Sequence, residues 1–238
     1  MKYFIEKRNG DYAVKENDAD FSLLLDTNAV LRLIVINEAA SDEMQQTFRL
    51  KLAPDSRLEI IQFIFGKRAT KIEVNADLDQ AAQLSLRTTT GFSEDGKLNY
   101  SYHALHSAKS SKSDFQMKSF LVDNATKNAK MQTTFEASAH GAVGAEFDNT
   151  LLLSENAKNT VSPIIVCKTD DVDGKHGMSS GHIDENAMQY LLARGLSPAQ
   201  IKQIYAHSFI SAALRNINDS EALEYINKVA RKYENFIR

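Results

Sequence analysis

Cysteine and proline are scarce in this chain: 238 residues include one cysteine and three prolines. A single cysteine excludes an internal disulfide framework and any four-thiolate metal site formed by this chain alone, and it is typical of a reducing compartment. No apolar run approaches about 18 residues, so the sequence predicts no membrane-spanning helix. Charged residues interrupt Met1–Gly10 at once, which excludes a secretory signal there. We therefore expect a cytoplasmic protein without membrane contacts.

A strong charge imbalance is also absent, because 28 basic side chains face 31 acidic ones, for a net charge of −3. Without a block of Lys and Arg, sequence-independent nucleic-acid binding is not expected. The phosphate loop G-x-x-x-x-G-K-[ST], the G-x-G-x-x-G turn, the H-E-x-x-H pair and the G-x-S-x-G elbow are all missing. We therefore expect no nucleotide-driven step on this chain. The apolar fraction of 43% is enough for an independent core.

Up to Gly181, apolar residues mostly alternate with polar ones, as is typical of β-strands. Turn-forming residues interrupt these runs at intervals of roughly 15–20 residues, too short for an intervening helix. The predicted strands cover 30–36, 57–65, 70–74, 83–89, 97–103, 131–137 and the run at 164–167. The predicted breaks lie at 55–56, 75–77, 94–96, 110–113, 124–125, 140–141 and 155–156.

This rhythm fits an antiparallel sandwich, a closed barrel or a β-solenoid. Tight hairpin sequences are rare, and Asp95-Gly96 is the one good candidate. The dipeptide Asn-Ala recurs, often near a break, and a solenoid needs such repeated turns between stacked layers. The repeat is weak, at 28–29, 75–76, 124–125, 128–129 and 156–157, and it favours the solenoid.

After Gly181 the apolar period changes to that of helices. Asp184 is a predicted N-cap for a first helix that ends before Gly195. Ser197 to Gln200 form a capping box with proline at the first helical position. A third helix is predicted from about Asn218–Ser220, with an apolar stripe that reaches Ile237 and with Arg238 in its last turn.

The densest polar cluster runs from Asp170 to Gly177, and its carboxylates and imidazole are suitable ligands for a divalent metal. Its spacing is not that of a calcium loop, so the cluster by itself indicates a solvated loop. Cys167 ends an apolar strand, where a free cysteine is usually a small buried hydrophobe. His103 and His106 would point to opposite faces of one strand and do not form a joint ligand pair.

The segment 151–217 resembles the C-terminal part of the SufB/SufD family, the scaffold proteins of the SUF iron–sulfur cluster assembly system. The order of these motifs is distinctive. The part of the chain before Leu151 agrees with the family only in being rich in strands. The matching residues are Leu151 to Ser154, Ala157, Pro163, Asp170 to Val172, His176-Gly177, Gly181, Ile183-Asp184, Tyr190-Leu191, Arg194 to Leu196 and Ser208-Phe209.

The resemblance implies a mainly β protein, with a right-handed parallel β-helix core domain at 1–181 and a helical domain at 182–238. It implies a homodimer, or a heterodimer with a SufB-like paralogue, formed through the β-helix. It implies a SufC-like ABC ATPase as partner of the helices, where the candidate contacts are Tyr190, Arg194, Ile204 and Phe209. His176 matches the SufD histidine implicated in building a nascent cluster. It is the candidate ligand for a transient iron–sulfur cluster or iron, and no tightly bound cofactor is expected.

Three departures from the family pattern are SufD-like. Ala157 stands where the SufB branch has a functional cysteine, Gly174 replaces a cysteine two residues before His176, and Gly177 replaces a glutamate after it. The chain also looks short for the family, as though it lacked the N-terminal helical region. The alternatives are a standalone β-helix binding or structural module without iron chemistry, and a hydrolase that uses Asp170 and His176 as acid and base.

Overall fold

A computed structural model describes residues 1–17, 19–39 and 42–234 of the chain. Fourteen strands form two seven-stranded sheets that face each other, and three helices follow them. Sheet A has the order β1(Lys2–Asn9), β4(Val30–Ala39), β6(Arg57–Gly66), β8(Gln83–Phe92), β10(Lys112–Leu121), β12(Ala142–Leu152), β14(Val172–Gly181). Sheet B has the order β13(Lys158–Cys167), β11(Thr126–Phe135), β9(Lys97–His106), β7(Ala69–Leu78), β5(Met44–Leu52), β3(Asp20–Leu25), β2(Tyr12–Glu16).

From β3 onward the chain alternates between the two sheets, so each of these strands pairs with the strand two places later in the sequence. From β3 to β14 these pairs are parallel and in register. One strand of each sheet makes one coil of the solenoid, and about six coils stack on one another. The predicted parallel β-solenoid is therefore confirmed, and the sandwich and barrel alternatives are wrong. Hairpin turns cannot join parallel neighbours, which explains why good hairpin sequences are rare.

The turns along one rim of the solenoid also stack. In each of them a residue with positive φ donates its backbone N–H to a carbonyl of the next turn, over 2.7 to 3.1 Å. Because these bonds join equivalent turns, they fix the spacing of the coils. The donors are Asn28, Asp55, Ala81, Ser110 and Gly141.

Some predicted breaks lie inside strands. Asn75 and Ala76 belong to β7, where Asn75 faces solvent and Ala76 faces the core. Residues 112 and 113 begin β10 rather than continue a loop. In both cases the small or polar side chain fits the alternation of a strand whose outer face is exposed.

The antiparallel strands β1 and β2 close the first end of the solenoid. They flank the sharp turn at Gly10 (φ 83°) and pair with β4 and β3. Tyr3 packs edge-on against Phe21 with ring centroids 5.6 Å apart, and Phe21 is fully buried. We call this the capped end.

The three predicted helices are present as α1(Glu185–Ala193), α2(Pro198–Leu214) and α3(Ser220–Glu234). Asp184 caps α1 and the capping box of Ser197 and Gln200 is formed, because both signals are local hydrogen-bond patterns. Gly195 has a φ of 86°, in agreement with its role as the helix stop. Ile237 and Arg238 lie outside the described residues.

The helices cover the outer face of sheet A. Buried residues of α2 and α3, among them Ile210 and Ile226, form one apolar cluster with Ile61 and Phe63 of β6. The guanidinium of Arg32 on β4 lies 3.1 Å from Glu59 and also pairs with Glu6. Since the strands end at Gly181 and the helices share a core with sheet A, the division into domains 1–181 and 182–238 stays a prediction.

Candidate functional site

The last coil, made of β13 and β14, leaves the second end of the solenoid uncovered. β13 and β14 are the terminal strands of their sheets, so one edge of each carries backbone groups without a strand partner among the described residues. Side chains that would face the core in an inner coil are exposed here, such as Met178, which is 50% exposed. We call this the open end.

His176 stands on the inward-facing row of β14 at the open end. Its register partner on β12 is the buried Glu146, and the partner of Glu146 on β10 is the buried Phe115. His176 is exposed because no coil covers it within the described chain. The imidazole is thus presented to solvent from a position that belongs to the core row.

The acidic residues near His176 do not form a joint site with it. Asp173 lies on the opposite face of β14 from His176 and pairs with Lys175 at 2.8 Å. Asp171 lies in the preceding turn, 3.6 Å from the His140 ring. Among the residues that the structure describes, no group of three His, Cys, Asp or Glu side chains is arranged to hold a metal ion. The interpretation of this cluster as a solvated segment agrees with its exposure.

Cys167 is exposed, so its interpretation as a small buried hydrophobe was wrong. It lies on the inward-facing row at the end of β13, in register with the buried Phe135, but the terminal coil has no neighbour to cover it. A Cβ at Gly174 would approach Ile165 to 3.0 Å, so Gly174 faces Ile165 across the coil. Each of Cys167 and His176 lies two residues beyond that pair, on facing strands that run in opposite directions, so the two are offset by roughly 13 Å along the strand axis at about 3.3 Å per residue.

One coil below the open end, the interior is charged. The ammonium of Lys127 lies 2.5 Å from a carboxylate oxygen of Asp148, and both side chains are fully buried. Lys127 also donates to Thr150 Oγ1 at 2.6 Å and to Ser119 Oγ at 3.0 Å. Burial lowers the pKa of Lys127 and the carboxylate opposes that shift. Three donors thus meet three acceptors, as a buried ammonium requires.

Glu146 lies in the same charged coil. It is fully buried and accepts a hydrogen bond from Thr133 Oγ1 at 2.6 Å, while its second oxygen has no hydrogen bond of good geometry. Burial raises its pKa to about 7, although the Thr133 hydroxyl and the Ile164 amide favour the charged form. Desolvation is the larger effect because the carboxyl is fully buried beside the ring of Phe115, its register partner on β10.

A second titratable group, His106, is buried two coils from the open end. It lies between the hydroxyls of Ser111 and Ser113, each 2.8 Å from a ring nitrogen. Burial lowers the pKa of His106 to about 4. It shares β9 with His103, whose ring points to the opposite face as predicted.

Sequence reasoning missed the charged coil of Lys127, Glu146 and Asp148. Their signal is an alternation in which charged residues occupy the positions that hold apolar residues in other strands. That signal can be read only once the inward row is known, and the inward row follows from strand pairing.

The helical surface presents three of the four predicted partner contacts. Tyr190 is 58% exposed and Ile204 is 50% exposed. Arg194 stacks over the Tyr190 ring at 5.0 Å and donates to its hydroxyl at 2.9 Å. Phe209 differs, because it packs against the cluster shared by α2 and sheet A and is half-buried. Leu192, which is 41% exposed, lies on the same helix as Tyr190.

Comparison with known proteins decides the family. The sequence profile described as "SUF system FeS cluster assembly, SufBD core domain" matches residues 4–209. The chain belongs to this family. The match begins in β1 and ends in α2. It therefore includes the strands before Leu151, whose only resemblance to the family had been that this region is rich in strands.

Two curated SufBD relatives are similar at low identity. The iron–sulfur cluster assembly protein SufD of Bacillus subtilis is 24% identical over 119 residues, which are 50% of this chain and 27% of that protein. An iron–sulfur cluster assembly SufBD family protein of Pyrococcus horikoshii is 29% identical over 101 residues, or 42% of this chain and 22% of the relative. The matched region thus spans about a quarter of each relative.

The SufD-like departures have a structural setting in this SufBD core. Ala157 is buried in the main core, where its amide closes a turn onto the Ser154 carbonyl at 3.2 Å. A side chain at Gly174 would crowd Ile165, and a Cβ at Gly177 would lie 2.8 Å from the ring of Phe147. The local packing therefore leaves little room for a side chain at Gly174 and Gly177, and Ala157 lies within the core.

The described helices include none that is long and apolar enough to cross a membrane.

Proposed function

We propose that this chain is a scaffold subunit of a SUF-type iron–sulfur cluster assembly complex and not an enzyme by itself. The observation that carries the proposal is the SufBD match over nearly the whole solenoid, together with a solenoid that ends in an exposed imidazole at His176. In this role His176 is a ligand for a nascent cluster or iron, which is cargo of the complex. Imidazole is a borderline ligand, so further ligands come from a partner or from persulfide sulfur.

The open end is the proposed dimerisation surface. Its support is the pair of uncovered edges of β13 and β14, because edge strands readily pair with another chain. The second subunit is another copy of this chain or a SufB-like paralogue.

Analytical ultracentrifugation of Met178→Lys tests this surface. A cation at this half-exposed position should dissociate the dimer and leave the monomer folded, since burying an unpaired charge in an interface is costly. Ile5→Lys is the matched control at the capped end, where Ile5 is 37% exposed. Equal dimer strength for both variants would place the interface elsewhere.

The helical surface around Tyr190, Arg194 and Ile204 is the proposed docking site for an ABC-type ATPase. Exposed aromatic and arginine side chains are typical anchors of protein interfaces, and Tyr190 with Arg194 already forms an ordered pair. Phe209 supports the surface from below, because it packs toward sheet A.

Co-expression with a family ATPase and gel filtration test the proposal as a whole. The two proteins should elute together at micromolar concentration, and Tyr190→Ala combined with Ile204→Ala should weaken the complex about tenfold or more. Lys130→Ala combined with Lys158→Ala, on the far face of sheet B, is the matched control and should leave the complex intact. Separate elution of the unmodified proteins would contradict the proposal.

A standalone β-helix module without iron chemistry is the second candidate. It is favoured by the lack of a thiolate beside His176, since Gly174 is the nearest inward neighbour and Cys167 is several residues away. The two candidates differ in one outcome, which is whether a complex that contains this chain binds iron through His176.

A further inference from the structure

The two sheets differ in what covers their outer faces. α2 and α3 pack on sheet A, whereas the outward rows of sheet B are largely exposed. Those rows carry seven cationic side chains, from Lys15, Arg49, Lys51, Lys71, Lys97, Lys130 and Lys158. They carry three carboxylates, from Asp20, Glu73 and Asp77, so their net charge is +4 within a chain of net charge −3. We call this surface the basic face.

The basic face contains a groove at its β2–β7 end. The groove has a volume of about 550 Å³, and its lining includes Lys15, Leu24, Arg49, Lys51 and the carboxylate of Asp77. Leu24 is 42% exposed and is in register with Lys51, while the neighbouring row pairs Lys15 with Ser22 and Ser22 with Arg49. An exposed leucine therefore lies beside three cations, one of which, Lys51, is in register with Asp77.

Two of these cations remain available to a partner. Arg49 pairs with Asp20 at 2.6 Å, but both side chains are about half exposed and their pairing is weak in water. Within the described part of the chain, Lys15 and Lys51 form no ion pair. The three cations outnumber the two carboxylates of Asp20 and Asp77, so the site combines an apolar anchor with a net positive charge.

The distribution of charge on the chain indicates which kind of partner the groove binds. The remainder of the chain has a net charge of −7, which repels a polyanion as long as a nucleic acid, and three carboxylates interrupt the basic face itself. A short acidic protein segment meets only the local positive charge, and the groove gives it an apolar contact. We propose that this groove binds an acidic protein segment, with an apolar side chain on Leu24 and carboxylates against Lys15, Arg49 and Lys51.

Fluorescence anisotropy with two labelled pentapeptides tests the proposal. The probes are Glu-Glu-Leu-Glu-Glu and Glu-Glu-Ser-Glu-Glu, titrated with the full chain at low salt. The leucine peptide should bind several-fold more tightly than the serine peptide, and both should weaken as salt rises. Lys15→Glu combined with Lys51→Glu should weaken binding about tenfold, since each exchange turns an attraction into a repulsion.

Two controls separate the groove from general charge. Lys109→Glu combined with Lys112→Glu changes the net charge equally on exposed positions outside the basic face, and binding should stay within about twofold of the unmodified chain. Leu24→Ser should remove the preference for the leucine peptide while the salt dependence persists. The exposed positions of all these changes leave the thermal unfolding midpoint close to that of the unmodified chain.

Three results would overturn the proposal. One is equal binding by the Lys15/Lys51 and Lys109/Lys112 double variants. Another is tighter binding of a 20-nucleotide oligothymidine than of the leucine peptide, which would assign the face to nucleic acid. The third is self-association of the chain that the Lys15/Lys51 exchange abolishes, which would make a second copy the occupant. None of these results depends on iron or on the ATPase.

Discussion

The two ends of the solenoid use the same coil geometry for different purposes. At the capped end, antiparallel β1 and β2 cover an interior of apolar side chains such as Phe21 and Leu33, both fully buried. At the open end the coil is uncovered, and the coil beneath it buries Lys127 and Asp148. In-register stacking fixes the backbone at both ends, so the side-chain content of each coil is free to differ.

The comparison shows where stability and chemistry reside. Apolar burial stabilises the capped end, whereas the open end depends on matched charges and hydrogen bonds that apolar packing does not replace. Substitutions at the two ends should therefore destabilise the fold through different mechanisms.

Lys127→Met should destabilise the fold most, by about 3–5 kcal/mol, because it leaves the Asp148 carboxylate buried without its partner. Chemical unfolding measures the loss. Lys127→Met combined with Asp148→Leu should recover most of the stability, since both charges are then absent. A loss below about 1 kcal/mol for the single variant would contradict the buried ion pair.

Leu33→Ala at the capped end should cost about 3 kcal/mol through lost burial and the cavity left behind. No second substitution by a charged residue should recover this lost stability, whereas Asp148→Leu should recover most of the stability lost in Lys127→Met. Urea unfolding with an unchanged slope would show that the native state alone is affected. A loss as small as that of an exposed leucine, such as Leu24→Ala, would contradict its place in the core.

Glu146→Gln should change how stability depends on pH. The pKa of Glu146 is raised to about 7 in the fold, so the unmodified chain loses stability on this account as pH rises from about 4.5 to about 7. The variant lacks that loss and should gain about 1–3 kcal/mol relative to the unmodified chain between pH 5 and pH 7. Urea unfolding at both pH values measures the gain.

His106 changes the stability with pH in the opposite direction. Its pKa is lowered to about 4 in the fold, so the free energy of unfolding rises on this account as pH increases from about 4 to about 6.5. In the Glu146→Gln variant, the free energy of unfolding should therefore rise over this pH range. A difference between variant and unmodified chain that is independent of pH would contradict the assignment of Glu146.

Gly66→Ala and Gly174→Ala compare an inner coil with the open end in their tolerance to an added methyl group. At Gly66 a Cβ would lie 2.6 Å from the buried ring of Phe92, and overpacking should cost about 1–3 kcal/mol. At Gly174 the nearest atom is 3.0 Å away on Ile165, at the edge of the open end, so the cost should stay below about 0.5 kcal/mol. Equal costs in thermal unfolding would show that the open end is as rigid as the core.

Local signals in the sequence were enough to predict where the helices begin and end. The cap at Asp184, the capping box at Ser197 and the stop at Gly195 are hydrogen-bond and backbone preferences within a few residues, and all three are formed. Strand alternation likewise predicted strands at 57–65 and 97–103, which lie within β6 and β9, because period two is a local property.

Pairing between strands was not available from these local signals. The choice between solenoid and sandwich depends on which strands are neighbours, and the exposure of Cys167 depends on where the stack ends. The buried pair of Lys127 and Asp148 joins residues 21 positions apart on opposite sheets. His176 was singled out by resemblance to the SufB/SufD family, and its place on an uncovered core row became visible only in the assembled coil.

The iron and acid-labile sulfide content of the assembled complex tests the account most directly. The chain is reconstituted with a SufB-like partner and the ATPase, using the unmodified chain, His176→Ala and, as an exposed histidine outside the core rows, His140→Ala. We predict that His176→Ala loses most of the bound iron and sulfide and that His140→Ala keeps the content of the unmodified complex. Equal content in all three complexes would contradict a role of the open end in cluster assembly.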